Sequence, residues 1–119
     1  MELSTRNNSG FFLNLCVSYG SRGDMVQACQ SVAKKIKQGT VQVHEIDEHM
    51  FAKHLVTRDI PDPDILIRTS GEYRLSNYLL FELAYTEMFF LDKFWPELTK
   101  NDMQEVLKSF HARQRRFGE

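Results

Sequence analysis

Between Asp64 and Glu87 the chain reads DILIRTSGEYRLSNYLLFELAYTE. The start of that stretch constrains the fold more than any other. Ile65, Leu66 and Ile67 are consecutive apolar residues behind Pro61 and Pro63. A short apolar run bounded this way suits a strand buried on both faces, as parallel sheets require. Arg68 then falls at the strand's C-terminal end, where open α/β sheets collect ligands. Ser76 stands at an N-cap position, and Leu79, Leu80, Leu83 and Ala84 follow as the face of an expected helix. A helix start presents free N–H groups and partial positive charge to an anion. With Arg68 and Arg74 beside it, the turn is expected to hold phosphate or diphosphate.

The flanking segments extend the pattern. Phe11–Tyr19 reads as an apolar strand, and Tyr19 to Gly23 as a turn. Ser21 and Asp24 have capping-box spacing. Met25, Val26, Cys29, Val32, Ala33 and Ile36 recur at helical spacing behind them, and Lys37-Gln38-Gly39 supplies a helix end. A shorter helix is expected over Glu45 to Leu55, then a proline-containing loop from Arg58 to Asp64. Met88 to Leu91 reads as another strand, and Trp95-Pro96 breaks the pattern. Thr99 and Asp102 form a second capping box ahead of a final helix with Met103, Val106, Leu107 and Phe110 on one face. Alternation of this kind predicts an α/β fold: a partial parallel sheet with flanking helices. Three strands make a thin sheet, which points to a larger assembly or a partner.

The 119 residues suffice for one modest core. A formal charge of −1 gives no global attraction to nucleic acid or membrane, so an anion site must be local. Cys16 and Cys29 are expected in a strand and a helix as reduced core thiols of an intracellular protein. No stretch reads as a membrane span or signal peptide. His44, His49 and His54 are five residues apart, which turns them away from one another on a helix, so surface positions are expected rather than a metal site. The aromatic run from Tyr78 to Trp95 is expected to be mostly core. It lacks the interleaved basic residues of a nucleic-acid platform.

The segment Pro63 to Glu87 resembles the signature of the cis-prenyltransferases, the undecaprenyl and dehydrodolichyl diphosphate synthases. The matching residues are Asp64, Ile67-Arg68-Thr69, Gly71-Glu72, Arg74-Leu75-Ser76-Asn77, Leu79-Leu80, Ala84-Tyr85 and Glu87. Leu13-Asn14-Leu15 with Tyr19-Gly20-Ser21-Arg22 is similar to the family's asparagine-tyrosine-glycine-glycine-arginine turn. Trp95-Pro96 and the tail Arg115-Arg116-Phe117-Gly118 match two further blocks. Ser18, Ser21, Ser70 and Glu82 depart from common family residues, and none is an expected diphosphate ligand.

The resemblance implies a prenyl transfer that condenses isopentenyl diphosphate onto an allylic diphosphate, with Mg²⁺ and in a homodimer. By the same resemblance Arg68, Arg74 and Ser76 hold the isopentenyl diphosphate, with Gly71 and Glu72 supporting the loop. Arg116 and Gly118 reach the diphosphate across a dimer, and Glu87 is the metal position. The family's aspartate-glycine-asparagine-glycine-arginine motif does not occur in these 119 residues, so no catalytic residue is assigned. Residues 1–10 are expected to be a flexible leader or a truncated end. Residues 11–119 are expected to be the C-terminal part of a single cis-prenyltransferase domain that needs the N-terminal half and is inactive alone. A cytoplasmic or membrane-peripheral location follows, with membrane contact through the lipid product.

Two alternatives explain less. A non-catalytic partner subunit of a heteromeric cis-prenyltransferase, of the Nogo-B receptor-like kind, would lose the binding residues of the central turn, which are present here. An unrelated phosphate-binding α/β module would leave the Trp-Pro and tail matches without a reason.

Overall fold

The computed structural model describes residues 2–113. A single helical turn, α1 (Glu2–Thr5), precedes the long helix α2 (Ser21–Lys37). A 3₁₀ turn at Val43–Glu45 and a short helix α3 (Glu48–Ala52) lead to strand β1 (Ile65–Arg68). Strand β2 (Glu87–Phe90), a 3₁₀ turn at Trp95–Glu97 and helix α4 (Lys100–Ala112) complete the order. The strands pair in parallel, with Ile65 opposite Glu87 and Arg68 opposite Phe90. Backbone bonds extend the pairing past both ends. Glu87 N donates to Asp64 O at 3.1 Å, Leu91 N to Arg68 O at 2.8 Å, and Ser70 N to Lys93 O at 2.8 Å. The fold is thus α/β with a small parallel sheet and flanking helices.

Two expected elements do not form. Phe11–Tyr19 has no strand partner among the described residues, and a strand cannot satisfy its backbone groups alone. Phe11, Phe12, Leu13, Leu15 and Val17 are each 68% to 82% exposed, so both faces of the segment lack cover. The helix expected from Ser76 is replaced by consecutive turns over residues 76–85. Ser76, Asn77 and Leu79 take left-handed φ angles of 51°, 63° and 44°. A right-handed helix cannot run through three such residues.

Those turns are held in place by α2. Ser21 N donates to Asn77 O at 2.9 Å, and Arg22 N to Asn77 Oδ1 at 2.9 Å. Leu80 N donates to Ser21 Oγ at 3.0 Å. Asp24 accepts from Val56 N, at 3.1 Å and 3.3 Å to its two oxygens. Ser21 and Asp24 therefore do not form the expected capping box. Gly20 is the N-cap, and both side chains are buried in contacts with distant segments. Gly20 fits because a Cβ there would meet Asn77 Nδ2 at 2.8 Å.

The buried positions of α2 are Ser21, Asp24, Ala28 and Val32. That stripe lies beside the apolar one read from the sequence, so Val26 and Cys29 face solvent. Cys16 is exposed as well, which corrects the expectation of two core thiols. Leu55, Leu83, Phe89 and Val106 supply the rest of the apolar core. The aromatic run is mostly outside it. Tyr85, Phe94 and Trp95 are exposed, and Phe89 alone of the run is buried. His44 and His49 are exposed as expected, whereas His54 is half-buried with Nδ1 2.9 Å from Met50 O.

The second capping box forms as read. Asp102 N donates to Thr99 Oγ1 at 3.3 Å, and Thr99 N donates to Asp102 Oδ2 at 2.8 Å. Lys93 Nζ lies 2.7 Å from Asp102 Oδ1. The Lys93 bond, then the Thr99 hydroxyl and backbone bonds, hold the Asp102 carboxyl at about 2, below its ordinary 3.8. The unfolded chain takes up this proton at the ordinary value and the folded chain only near 2. The stabilisation is therefore fully present above 3.8 and is lost as pH falls toward 2. Thermal melts from pH 5 to pH 2 are expected to show a steeper acid loss for the native chain than for Asp102→Asn.

Ser21 is 1% exposed, and its hydroxyl is the acceptor for Leu80 N. Ser21→Ala leaves that N–H unpaired in the interior and is expected to cost about 1–3 kcal/mol of stability. Urea denaturation measures the loss directly; a midpoint equal to the native one would remove this bond from the fold's support.

Candidate diphosphate-binding site

The site begins where β1 ends. Strand geometry delivers Arg68 to the C-terminal edge of the sheet, beside Phe90 of β2. The chain then reverses through Ser70 and Gly71 at φ 69° and 63°. Gly71 N donates to Leu91 O at 3.1 Å, which ties this turn to the residues after β2. Tyr73 packs on Phe90 with ring centroids 5.1 Å apart, so the loop is seated on the sheet end. Glu72 pairs with Arg74 and steadies its otherwise exposed guanidinium.

Arg68, Arg74, Leu66, Ile67, Leu75 and Tyr78 surround one cavity of about 210 Å³. At liquid density that volume equals about seven waters, enough for a small anionic headgroup. Two arginines on one apolar-lined cavity, one of them paired with Glu72, concentrate positive charge locally on a chain of net charge −1. Arg68 Nε is buried and has no hydrogen-bond partner. A buried N–H of a permanently charged group calls for an acceptor, and a phosphate oxygen suits a guanidinium fork. Tyr78 closes one side. Its ring meets Tyr19 edge-on at 6.1 Å, and its hydroxyl donates to Cys16 Sγ at 3.9 Å. Burial and the Cys16 contact raise the Tyr78 phenol above its ordinary 10, so it remains a neutral donor at physiological pH.

The other residues expected from the sequence lie elsewhere. Ser76 is exposed and is not among the residues around the cavity; its left-handed backbone replaces the expected helix N-cap. The candidate site therefore rests on arginines and not on a helix start. Gly71 and Glu72 support the loop around Arg74. Glu87 sits at the opposite end of the sheet, paired with Ile65 and so three residues below the level of Arg68, about 10 Å along the strand. Its Oε2 is engaged by Arg113 Nη1 at 2.6 Å. No three His, Cys, Asp or Glu side chains among the described residues cluster closely enough to hold a metal ion. These residues alone do not compose a Mg²⁺ site. Arg116 and Gly118 lie outside the described residues.

Three residues acquire roles that sequence reasoning missed. Asn77 caps the start of α2 from another part of the chain. Glu82 is 6% exposed and accepts from Thr57 Oγ1, so it is buried in the support of the turn, near enough to Tyr78 for its charge to act on that phenol. Arg113 pairs with Glu87. Helical periodicity signals none of these, because each contact joins segments far apart in sequence.

A family model described as "Putative undecaprenyl diphosphate synthase" matches residues 1–118. An isoprenyl transferase of Chlorobaculum tepidum is 45% identical over 114 residues, covering 96% of this chain and 43% of its own length. A ditrans,polycis-undecaprenyl-diphosphate synthase of Vibrio cholerae, specific for (2E,6E)-farnesyl diphosphate, is 47% identical over 117 residues and is covered over 47% of its length. The crystal structure of lavandulyl diphosphate synthase from Lavandula x intermedia, in complex with dimethylallyl diphosphate, superposes with a TM-score of 0.93 at 40% identity. That match covers 99% of this chain and 51% of the plant protein. The chain thus spans about half the length of the relatives it matches. A family match from end to end, joined to the Arg68–Arg74 cavity after a parallel strand, leads to one conclusion: the chain belongs to the cis-prenyltransferase family.

Proposed function

We propose that this chain supplies the isopentenyl diphosphate site of a cis-prenyltransferase, which condenses that substrate onto an allylic diphosphate. The observation that carries the reading is the cavity shared by Arg68 and Arg74 at the C-terminal end of β1. A diphosphate needs forked, charge-assisted donors, and arginine provides them better than lysine. In this reading Arg68 and Arg74 neutralise the diphosphate, and Leu66, Leu75 and Tyr78 shield it from water. Ser76, exposed on the turn that follows Leu75, is the hydroxyl this reading adds. Shielding and fixed charge are what carbocation-like transfer asks of a protein, so no strong nucleophile is required. Glu72 has a second role here: it holds Arg74 in place until the substrate arrives.

Mg²⁺ belongs to the proposal as the family's cofactor, supplying positive charge to the leaving diphosphate when bound. Glu87 is the carboxylate this chain would contribute, beside ligands from outside it. The exposed strip Phe11–Val17 and a radius of gyration of 17.7 Å support dependence on a further segment. A compact chain of this length has a radius nearer 13–14 Å, by the approximate length scaling. A segment corresponding to the rest of the relatives' length would pair with that strip and complete the sheet. Exposed Tyr85, Phe94 and Trp95 offer surface for a homodimer, with Arg116 and Gly118 acting across it. None of the helices among the described residues is long and apolar enough to cross a membrane, so the reading keeps membrane contact peripheral and through the lipid product. A non-catalytic partner subunit is the lesser reading, because such a role gives no reason to keep two arginines on one cavity.

The 119 residues by themselves are expected not to elongate an allylic diphosphate; robust turnover by the purified chain would end that part of the proposal. In the enzyme completed to the relatives' length, Arg74→Ala is expected to raise KM for isopentenyl diphosphate about 10- to 100-fold, the loss of one or two charge-assisted bonds. Steady-state kinetics with varied isopentenyl diphosphate measure this, and an unchanged KM takes Arg74 out of the site.

A further inference from the structure

Leu75, Ser76, Asn77 and Tyr78 make one tight turn, closed by Tyr78 N donating to Leu75 O at 3.1 Å. Both central residues are left-handed, Ser76 at φ 51° and Asn77 at φ 63°. Such angles mark a type I′ turn, which asparagine and glycine fill most readily. The outer residues, Leu75 and Tyr78, line the cavity together with Arg74 just before them. Residues other than glycine keep such angles only where their surroundings fix them. Here the fixing contacts come from the start of α2. The Asn77 carbonyl accepts from Ser21 N and its Oδ1 from Arg22 N, both at 2.9 Å. Its Nδ2 stands 2.8 Å from where a Cβ on Gly20 would be. Gly20 itself is extended, at φ −149°, an angle open to any residue. What glycine supplies at this position is therefore room for the Asn77 side chain.

We infer that Asn77 is a positioning residue for the anion cavity: its bonds to α2, with the space left by Gly20, hold Leu75 and Tyr78 in place before an anion arrives. The inference rests on reading the Arg68–Arg74 cavity as a diphosphate site. Asn77 is not among the residues around the cavity, so it acts through its neighbours in the turn. The cavity wall is thereby coupled to a helix more than fifty residues away in sequence. A wall held ready binds an anion without first being ordered. An unanchored wall must be ordered by the ligand, and each side chain so ordered weakens binding about two- to tenfold.

The test titrates the purified chain with inorganic diphosphate and follows the ligand by phosphorus nuclear magnetic resonance. Asn77→Ala loses the Oδ1 bond and disfavours the left-handed backbone, and is expected to weaken binding about five- to tenfold. Asn77→Gly keeps the backbone freedom and the carbonyl, and falls between that variant and the native chain. Gly20→Ala leaves Asn77 in place but sets a methyl group against Nδ2. The amide can withdraw only by giving up Arg22 N, so the loss matches that of Asn77→Gly. The two changes combined weaken binding no further than Asn77→Gly alone, because the colliding atom is gone; independent structural damage would add. Gly23→Ala, in the same helix with open space where its Cβ falls, keeps the native affinity. Circular dichroism establishes that the helices remain in each variant. Native affinity in Asn77→Ala or Gly20→Ala, or additive losses in the double variant, overturns the inference while Arg74→Ala still weakens binding. No binding by the native chain, or equal binding by Arg74→Ala, overturns the reading of the cavity and the inference with it.

Discussion

Parallel pairing of β1 with β2 is the constraint from which the rest follows. Two antiparallel strands can be joined by a tight turn, but parallel ones need a long crossover to bring the chain back to the same end. Here the crossover runs from Thr69 to Thr86 and contains Glu72, Arg74, Ser76 and Asn77. The register sets Arg68 beside Phe90, and Tyr73 then stacks on Phe90. This brings Arg74 back over the strand end from which Arg68 emerges. A slip of one residue would send Arg68 to the other face of the sheet and separate the two guanidinium groups. The cavity is thus a consequence of strand register before it is a property of its arginines.

A crossover without a regular helix needs another source of order. In most parallel units the helix packs its own apolar face onto the sheet. In this chain Leu83 is buried, but the turns around it depend on α2 for hydrogen bonds. Asn77 gives its carbonyl to Ser21 and its side chain to Arg22, while Ser21 returns a hydroxyl to Leu80. These exchanges satisfy orphan donors at the start of α2 and fix a left-handed stretch of backbone at the same time. Asp24 ties the same helix to the chain after α3 through Val56. Helix α2 therefore acts as a clamp that places Tyr78 against Tyr19 and closes the cavity wall.

The sequence made the local elements legible where a single segment carries its own signal. Pro61 and Pro63 before Ile65–Ile67 marked β1, Gly39 marked the end of α2 with φ 72°, and Thr99 with Asp102 marked α4. The grouping of Arg68 and Arg74 was legible as well, since both flank one short turn. Elements that depend on partners were not. Phe11–Tyr19 has a strand's composition, but a strand exists only where another strand lies beside it. Leu79, Leu80 and Leu83 have helical spacing, yet Asn77 bonds to α2 and takes the backbone through left-handed angles. Ser21 and Asp24 had capping-box spacing, but distant N–H groups at Leu80 and Val56 claimed their oxygens. In each case a contact across the chain outweighed a local preference of a few tenths of a kcal/mol to about one.

The two ends of the small sheet carry opposite chemistry. At the C-terminal end the buried Nε–H of Arg68 has no acceptor, while Arg74 is paired with Glu72. At the N-terminal end Glu87 has its charge met by Arg113. The two ion pairs differ in strength. Arg74 and Glu72 form an exposed pair of small net strength, whereas Glu87 and Arg113 are anchored at both backbones and backed by the Phe89 ring. The same strand pairing that gathers the anion site thus keeps Glu87 some 10 Å down the strand from it.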